Sequence, residues 1–191
     1  MFRELILKNR SYRRFYEDAP ITMRQLEEFV DLARLSPFGG NRQTLKFYLS
    51  ASEPSREVNE KIFETLSWAG YLDGWKGPEP GERPSGYIVV LNDTDLGDGG
   101  QINAGIAATG ILLGAVEQGL GGCMFGSVDR KKLSESLGLA ENLEIVIVIA
   151  LGKPKEVIVI DEAVNGDIKY WRDENRVHHV PKRKLGDLII N

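Results

Sequence analysis

Three arginines and one serine lie within five residues near the start of the chain, in the stretch Asn-Arg-Ser-Tyr-Arg-Arg-Phe at 9–15. Guanidinium groups are planar and permanently charged, and a hydroxyl is a compact donor, so this set suits a phosphate monoester or another small dianion. In an extended backbone, Arg10 shares one side of the chain with Arg14, and Ser11 shares the other side with Arg13. Taken alone, so short a string is also typical of a solvated basic loop.

A second polar segment, at 37–43, reads Pro-Phe-Gly-Gly-Asn-Arg-Gln. Its glycines allow the backbone to approach another group closely, while Asn41 and Gln43 each offer a donor and an acceptor. This combination suits the edge of a heterocycle. An ordinary turn between a helix and a strand is the alternative.

A second basic cluster lies near the other end of the chain, where 178–184 reads His-His-Val-Pro-Lys-Arg-Lys, and it also suits a phosphate. His178 and His179 have no further His or Cys at ligand spacing, so we expect no metal site there. Cys123 is the only cysteine. It excludes an intrachain disulfide, and we interpret it as a small buried apolar residue and not as a redox thiol.

The overall composition narrows the class of protein. A formal charge of −4 argues against a dedicated nucleic-acid binder, whose basic surface should dominate the balance. The longest apolar run, at 145–151, is too short to span a bilayer, and the first residues lack the apolar region of a signal peptide. We therefore expect a cytoplasmic protein with no membrane or nucleic-acid partner, folded as one domain over 1–191.

The periodicity of apolar residues predicts the elements that position these segments. Thr22 and Gln25 form a capping box at the start of one helix, and Asp129 caps another. The irregular stretch at 67–85 is either a lid or binding loop or a plain surface loop. Helices are predicted at 22–35, 55–66, 101–118 and 130–137, and strands at 45–51, 87–91, 120–125, 143–151 and 157–160.

The helix predicted at 101–118 is the most apolar in the chain and contains Gly105, Gly110 and Gly114. Glycine inside a helix costs roughly 0.5–1 kcal/mol relative to alanine. Three of them therefore indicate close packing against another backbone or a ligand, and we expect this helix to be buried on nearly all sides.

Four segments, in this order along the chain, resemble the motifs of the FMN-dependent nitroreductase family, and the resemblance extends over nearly the whole sequence. Two of them depart from the family pattern, since Asn9 and Phe38 replace an Arg and a Ser, and Thr44-Leu45 replaces Pro-Trp. The segments are 9–15 (R-R-S-x-R-x-F in the family), 37–45 (P-S-x-x-N-x-Q-P-W), 119–126 (G-L-G-x-x-x-x-G) and 181–185 (a basic C-terminal anchor).

The resemblance implies a flavin site built from both ends of the chain and from a partner subunit. It places 9–15 on the FMN phosphate, ribityl chain and pyrimidine edge, and 181–185 on the phosphate. It places 119–126 on the isoalloxazine ring, and 37–45 on the FMN of the other subunit. The implied cofactor-binding residues are Arg10, Ser11, Arg13, Pro37, Phe38, Gly39, Asn41, Met124, Phe125, Gly126, Lys182 and Lys184.

The resemblance also implies an α+β nitroreductase-like fold, with a central, mainly antiparallel sheet, helices on both faces and a C-terminal extension from about 155 that embraces the partner of a homodimer. The implied activity is ping-pong transfer of two electrons from NAD(P)H to a nitroaromatic, quinone or related small acceptor. No protein side chain needs to act as a nucleophile or base. An FMN carrier without turnover, flavin destruction and reductive dehalogenation remain as alternatives.

Overall fold

An antiparallel sheet forms the centre of the computed structural model, which describes residues 1–53, 55–98 and 100–190. Its five strands are β1 (Phe15–Tyr16), β2 (Leu45–Ser50), β3 (Gly86–Asp93), β4 (Gly121–Phe125) and β5 (Leu143–Pro154). Strand β3 pairs with β2 on one side and with β5 on the other, and β5 also pairs with β4 and, through its last residues, with β1. All of these pairings are antiparallel, which confirms the predicted sheet type.

Helices cover both faces of this sheet, as predicted. Phe29 and Ile111 belong to the apolar core on one face, and Ile62 and Leu133 belong to the core on the other. The strands between them are buried on both sides, because alternate residues enter opposite cores. The helices are α1 (Phe2–Lys8), α2 (Met23–Arg34), α3 (Arg56–Phe63), α4 (Gly100–Glu117) and α5 (Arg130–Leu137).

The predicted helix starts are confirmed by their hydrogen bonds. The Gln25 backbone N–H donates to the Thr22 hydroxyl at 3.2 Å, and the Thr22 N–H donates to the Gln25 side-chain oxygen at 3.0 Å, completing the capping box of α2. The Asp129 carboxylate accepts from the Lys132 N–H at 3.0 Å and caps α5. These signals are local, so they can be read from the sequence.

The glycines of α4 have two different surroundings. A Cβ at Gly114 would lie 2.4 Å from the Leu32 side chain, so this glycine lets α2 and α4 approach each other closely. A Cβ at Gly105 would meet nothing within 4 Å, and nearby Ile102 is 81% exposed. The expectation that α4 is buried on nearly all sides is therefore wrong for the single chain, because one side of its first half is open. None of the described helices has both the length and the apolar character of a bilayer span.

The C-terminal tail folds against its own chain. Its strands β6 (Ile158–Glu162), β7 (Trp171–Arg172) and β8 (His178–Lys182) form a second sheet, in which β6 and β8 are parallel. The Tyr170 ring packs at 4.9 Å from Tyr71, and the Arg172 guanidinium lies 4.3 Å from the Trp75 ring. The aromatic residues of the irregular 67–85 stretch therefore pack the tail onto its own subunit. Whether the tail also embraces a partner subunit stays a prediction.

Candidate functional site

The first and third motifs lie side by side. A β-bridge joins Ser11 to Gly122, and the Tyr12 N–H donates to the Gly122 carbonyl at 3.0 Å. A Cβ at Gly121 would lie 2.5 Å from the Tyr12 ring. The absence of a side chain at Gly121 therefore allows Ser11 and Tyr12 to lie directly against this strand.

Arg14, the third arginine of the first motif, is part of a buried ion pair. Its side chain is 7% exposed, and it donates to both carboxylate oxygens of Glu82, at 2.5 and 2.7 Å. Lys155 lies 3.1 Å from the same carboxylate. The hydrogen bonds from Arg14 lower the pKa of Glu82 to about 2. Arg14 consequently stabilises the fold and is not free to bind a ligand.

Arg10 keeps most of its donors available. One terminal nitrogen donates to the Ile6 carbonyl at 2.9 Å, while its Nε atom is buried and has no hydrogen-bond partner. A buried donor without a partner is costly unless something binds it. The carbonyl of Ile6, in the last turn of α1, thus holds the Arg10 guanidinium, which suits an anionic ligand.

The Arg13 guanidinium is surrounded by uncharged groups. One terminal nitrogen lies 3.1 Å from the Ser11 carbonyl and 3.4 Å from His178 Nε2, and the guanidinium carbon lies 4.9 Å from the centre of the Tyr170 ring. Its backbone N–H donates to the buried Glu156 carboxylate. Arg13 is therefore fixed at its backbone and its side chain by residues of the tail.

Strand β4 presents alternate side chains to the two sides of the sheet. Met124 is 49% exposed, whereas Phe125 is 4% exposed and packs edge-on against Trp68 at 4.7 Å. The Phe125 ring therefore lies in the core of its own chain and is not exposed to a ligand. Cys123 is buried as predicted, and burial raises the pKa of its thiol to about 11, so the thiol stays protonated at neutral pH. At Gly126, a Cβ would meet nothing within 4 Å.

The second motif forms a tight turn elsewhere on the surface. The Gly39 N–H donates to the Asn103 side chain at 3.3 Å, and Asn41 has a positive φ of 51°. Phe38 packs against the core between α2 and α4, a role that a serine could not take. The turn follows Pro37. It borders a cavity of about 710 Å³ together with the start of α4. Within the described part of the chain, no hydrogen bond or ion pair joins this turn to Arg10.

The fourth motif also lies apart from the arginines. Strand β8 begins at His178, beside Arg13, and ends at Lys182, which is about 13 Å further along an extended strand. Lys184 pairs with Glu162 on the surface at 3.2 Å. Within the described part of the chain, no hydrogen bond or ion pair joins Lys182 or Lys184 to Arg10 or Arg13.

Several residues around the arginines were not recognised from the sequence. Glu82 and Glu156 lie 68 and 143 residues from their arginine partners, and no local pattern marks them. His178 was considered as part of the basic cluster and as a metal ligand, and not as a neighbour of Arg13. Asp161 lies 2.8 Å from His179 Nδ1, because the parallel pairing of β6 and β8 places Val159 opposite His179 and Asp161 two residues further along.

The sequence matches the family model described as the Nitroreductase family over residues 6–153. This match includes the first three motifs, the central sheet and all of its helices except the first turn of α1. The chain belongs to the nitroreductase family.

Individual relatives agree with this assignment. A protein of Archaeoglobus fulgidus named as an NADH dehydrogenase/NAD(P)H nitroreductase is 30% identical over 161 residues, which cover 80% of this chain and 85% of that protein. The crystal structure of a nitroreductase family protein from Streptococcus pneumoniae TIGR4 matches all of this chain and 99% of its own, with a TM-score of 0.71 at 19% identity. An FMN-dependent nitroreductase from Clostridium difficile R20291 matches 85% of this chain and 91% of its own, with a TM-score of 0.62 at 22% identity. The two structures share the fold of this chain.

Proposed function

We propose that the protein is an FMN-dependent oxidoreductase that transfers two electrons from NAD(P)H to a nitroaromatic, quinone or related small acceptor. The observation that carries the proposal is the pairing of the first motif with β4. It places Arg10 and Arg13, whose guanidinium groups form no ion pair with a carboxylate in the described chain, beside a glycine-rich strand that leads to the open space at Gly126. Membership of the nitroreductase family and the FMN named for a protein of the same fold support it.

The described residues fit such a cofactor. The unpartnered Nε of Arg10 suits a phosphate oxygen, and the exposed hydroxyl-bearing Ser11 lies one residue away. Arg13 offers its charge to the part of a flavin that becomes negative on reduction. The full proposed set is Arg10, Ser11, Arg13, Pro37, Phe38, Gly39, Asn41, Met124, Phe125 (through its backbone), Gly126, Lys182 and Lys184.

When bound, the flavin supplies the hydride acceptor and donor, and the protein contributes binding, orientation and electrostatics. The chain's own part is therefore to fix the ring beside β4 and to stabilise developing negative charge with Arg13. We assign no side chain as a proton donor or nucleophile. Initial rates measured against NADH, NADPH and a nitroaromatic acceptor should give parallel double-reciprocal lines. Converging lines would contradict a ping-pong order.

A homodimer completes the proposed site. Several large apolar side chains are exposed in the single chain, among them Ile102 (81%), Phe2 (68%) and Leu188 (64%). Among the described residues, no hydrogen bond or ion pair joins the turn at 37–41 or the two lysines to Arg10 or Arg13, and a symmetric partner can supply all of them. Light scattering should give the mass of a dimer, and dilution should release flavin as the dimer dissociates. A folded, flavin-loaded monomer would contradict this proposal.

Arg10→Ala should weaken FMN binding. A charge-assisted hydrogen bond is worth about 1.5–3 kcal/mol, so the dissociation constant should rise about tenfold or more, and Lys182→Ala should act in the same direction. Quenching of FMN fluorescence measures this constant. Arg24→Ala, which removes an exposed arginine on α2, is the control and should leave the constant unchanged. Unchanged binding in both test variants would place the phosphate elsewhere.

An FMN carrier without turnover is the second candidate. It would use the same residues, and it differs in that NAD(P)H would not reduce the bound flavin. Membership of the nitroreductase family favours the enzyme over the carrier. Flavin destruction would be detected as loss of the flavin, and reductive dehalogenation as release of halide. The cytoplasmic location and the single domain over 1–191 stay predictions.

A further inference from the structure

The three arginines near Glu156 differ in how their charge is compensated. Arg14 is paired with Glu82, and Arg172 donates to Glu156 at 3.0 Å. The Arg13 guanidinium forms no ion pair with any described residue, although the Glu156 carboxylate accepts from its backbone N–H. Two of the three charges are thus compensated by buried carboxylates, and the third is not.

The groups that hold the Arg13 side chain are uncharged. The Ser11 carbonyl and His178 Nε2 face the same terminal nitrogen, and the Tyr170 ring lies beside the guanidinium. A ring in this position attracts a cation without neutralising its charge. Arg13 is therefore oriented on several sides and keeps its full positive charge.

His178 can play this part only if its ring is neutral. The ring is fully buried, and burial, with the nearby charges of Arg13 and Arg172, lowers the pKa of His178 to about 4. The other groups that face it are the Tyr170 ring and the adjacent His179. A neutral imidazole that accepts at Nε2 carries its proton at Nδ1, and Nδ1 is buried without a partner.

We propose that His178 and Tyr170 are positioning residues that hold the Arg13 guanidinium without a counter-charge, so that its positive charge raises the reduction potential of the bound flavin. This inference rests on the proposed function, since it needs a flavin next to Arg13. It assigns His178, at the beginning of β8, and Tyr170, just before β7, a role in tuning the potential of the cofactor, in addition to packing the tail onto the chain.

The arrangement requires a fixed tail. Tyr170 packs on Tyr71, and Arg172 stacks on Trp75 while donating to Glu156. The irregular 67–85 stretch thus holds the tail in place over Arg13. Its aromatic residues act on the arginine through Tyr170, and not by direct contact with it.

The test compares midpoint potentials of flavin-loaded variants, measured by equilibration with reference dyes. Arg13→Gln should reduce the preference for the reduced flavin about tenfold or more, and each tenfold loss lowers the potential by about 30 mV. His178→Glu should lower it in the same way, because a carboxylate would neutralise Arg13. His178→Gln, which keeps a neutral acceptor, should leave the potential within about 15 mV of the wild type, equivalent to a threefold change. His179→Gln is the matched control, since the neighbouring His179 pairs with Asp161 and stacks on Trp171.

Each outcome decides the proposal. A wild-type potential in His178→Glu or in Arg13→Gln would overturn it while leaving the proposed function intact. Wild-type protein that binds no flavin would overturn the proposed function and this inference together. If the buried glutamate prevents folding, Tyr170→Leu and Tyr170→Phe replace it. Loss of the ring in Tyr170→Leu should lower the potential by an amount equivalent to about three- to tenfold, and Tyr170→Phe should not. Equal potentials in these two variants would also overturn the proposal.

Discussion

Glu82→Ala is expected to lower the free energy of unfolding by about 3–5 kcal/mol, because it leaves a buried charge without its partner. The Arg14 side chain is 7% exposed and gives two hydrogen bonds to the Glu82 carboxylate. Lys155 and Arg176 would lose the same carboxylate, at 3.1 and 3.7 Å. Urea unfolding, followed by circular dichroism, measures the change.

The control for this variant is an exposed ion pair. Glu64 lies 3.0 Å from Lys132, and both side chains are more than half exposed, so Glu64→Ala should cost less than about 1 kcal/mol. Similar losses in the two variants would mean that the Arg14–Glu82 pair stabilises the fold no more than an exposed ion pair does.

The same carboxylate makes stability depend on pH. The pKa of Glu82 is about 2 in the folded protein against an ordinary 4.5, so the unfolded chain takes up the proton first as the pH falls. The contribution of Glu82 to the free energy of unfolding is present above pH 4.5 and is lost as the pH falls from 4.5 to about 2. In Glu82→Gln, the free energy of unfolding should depend less on pH over this window than it does in the wild type.

Gly122→Ala is expected to have the second largest effect on stability. The added Cβ would lie 2.5 Å from the Ala150 carbonyl oxygen and 2.7 Å from the Leu112 side chain. A backbone oxygen inside a sheet cannot move away cheaply, so β4 should separate from β5. Such overpacking costs about 1–3 kcal/mol and at times more.

The variant should also weaken flavin binding, because Gly122 bridges to Ser11. Urea unfolding and FMN titration measure the two effects. Gly70→Ala is the control, since a Cβ there would meet nothing within 4 Å. A Gly122→Ala protein as stable as Gly70→Ala would contradict the close contact between β4 and β5.

The sequence predicted what depends on local pattern. The capping box at Thr22, the cap at Asp129 and the positions of the apolar strands are set by neighbouring residues, and the structure confirms them. Strand β5 continues three residues beyond the predicted end because β1 pairs with Lys153 and Pro154. That extension depends on a distant strand and has no local signal.

The site was predicted less completely because its parts come together over long sequence distances. The phosphate-type chemistry of Arg10 and Arg13 could be read from residue types alone. That Arg14 is paired and Arg13 is not depends on carboxylates far along the chain, at Glu82 and Glu156. The alternation that buries Phe125 depends on which face β4 turns to the core. Whether Lys182 joins the site depends on a second chain, and this stays a prediction.

The most direct test of the central claim is anaerobic reduction of the bound cofactor by NAD(P)H. The protein should carry FMN, identified by chromatography after release, and an equimolar amount of NADH or NADPH should bleach its visible absorbance. Subsequent addition of a nitroaromatic or quinone acceptor should restore the absorbance. Recovery of FAD, or of FMN that neither nicotinamide reduces, would contradict the account.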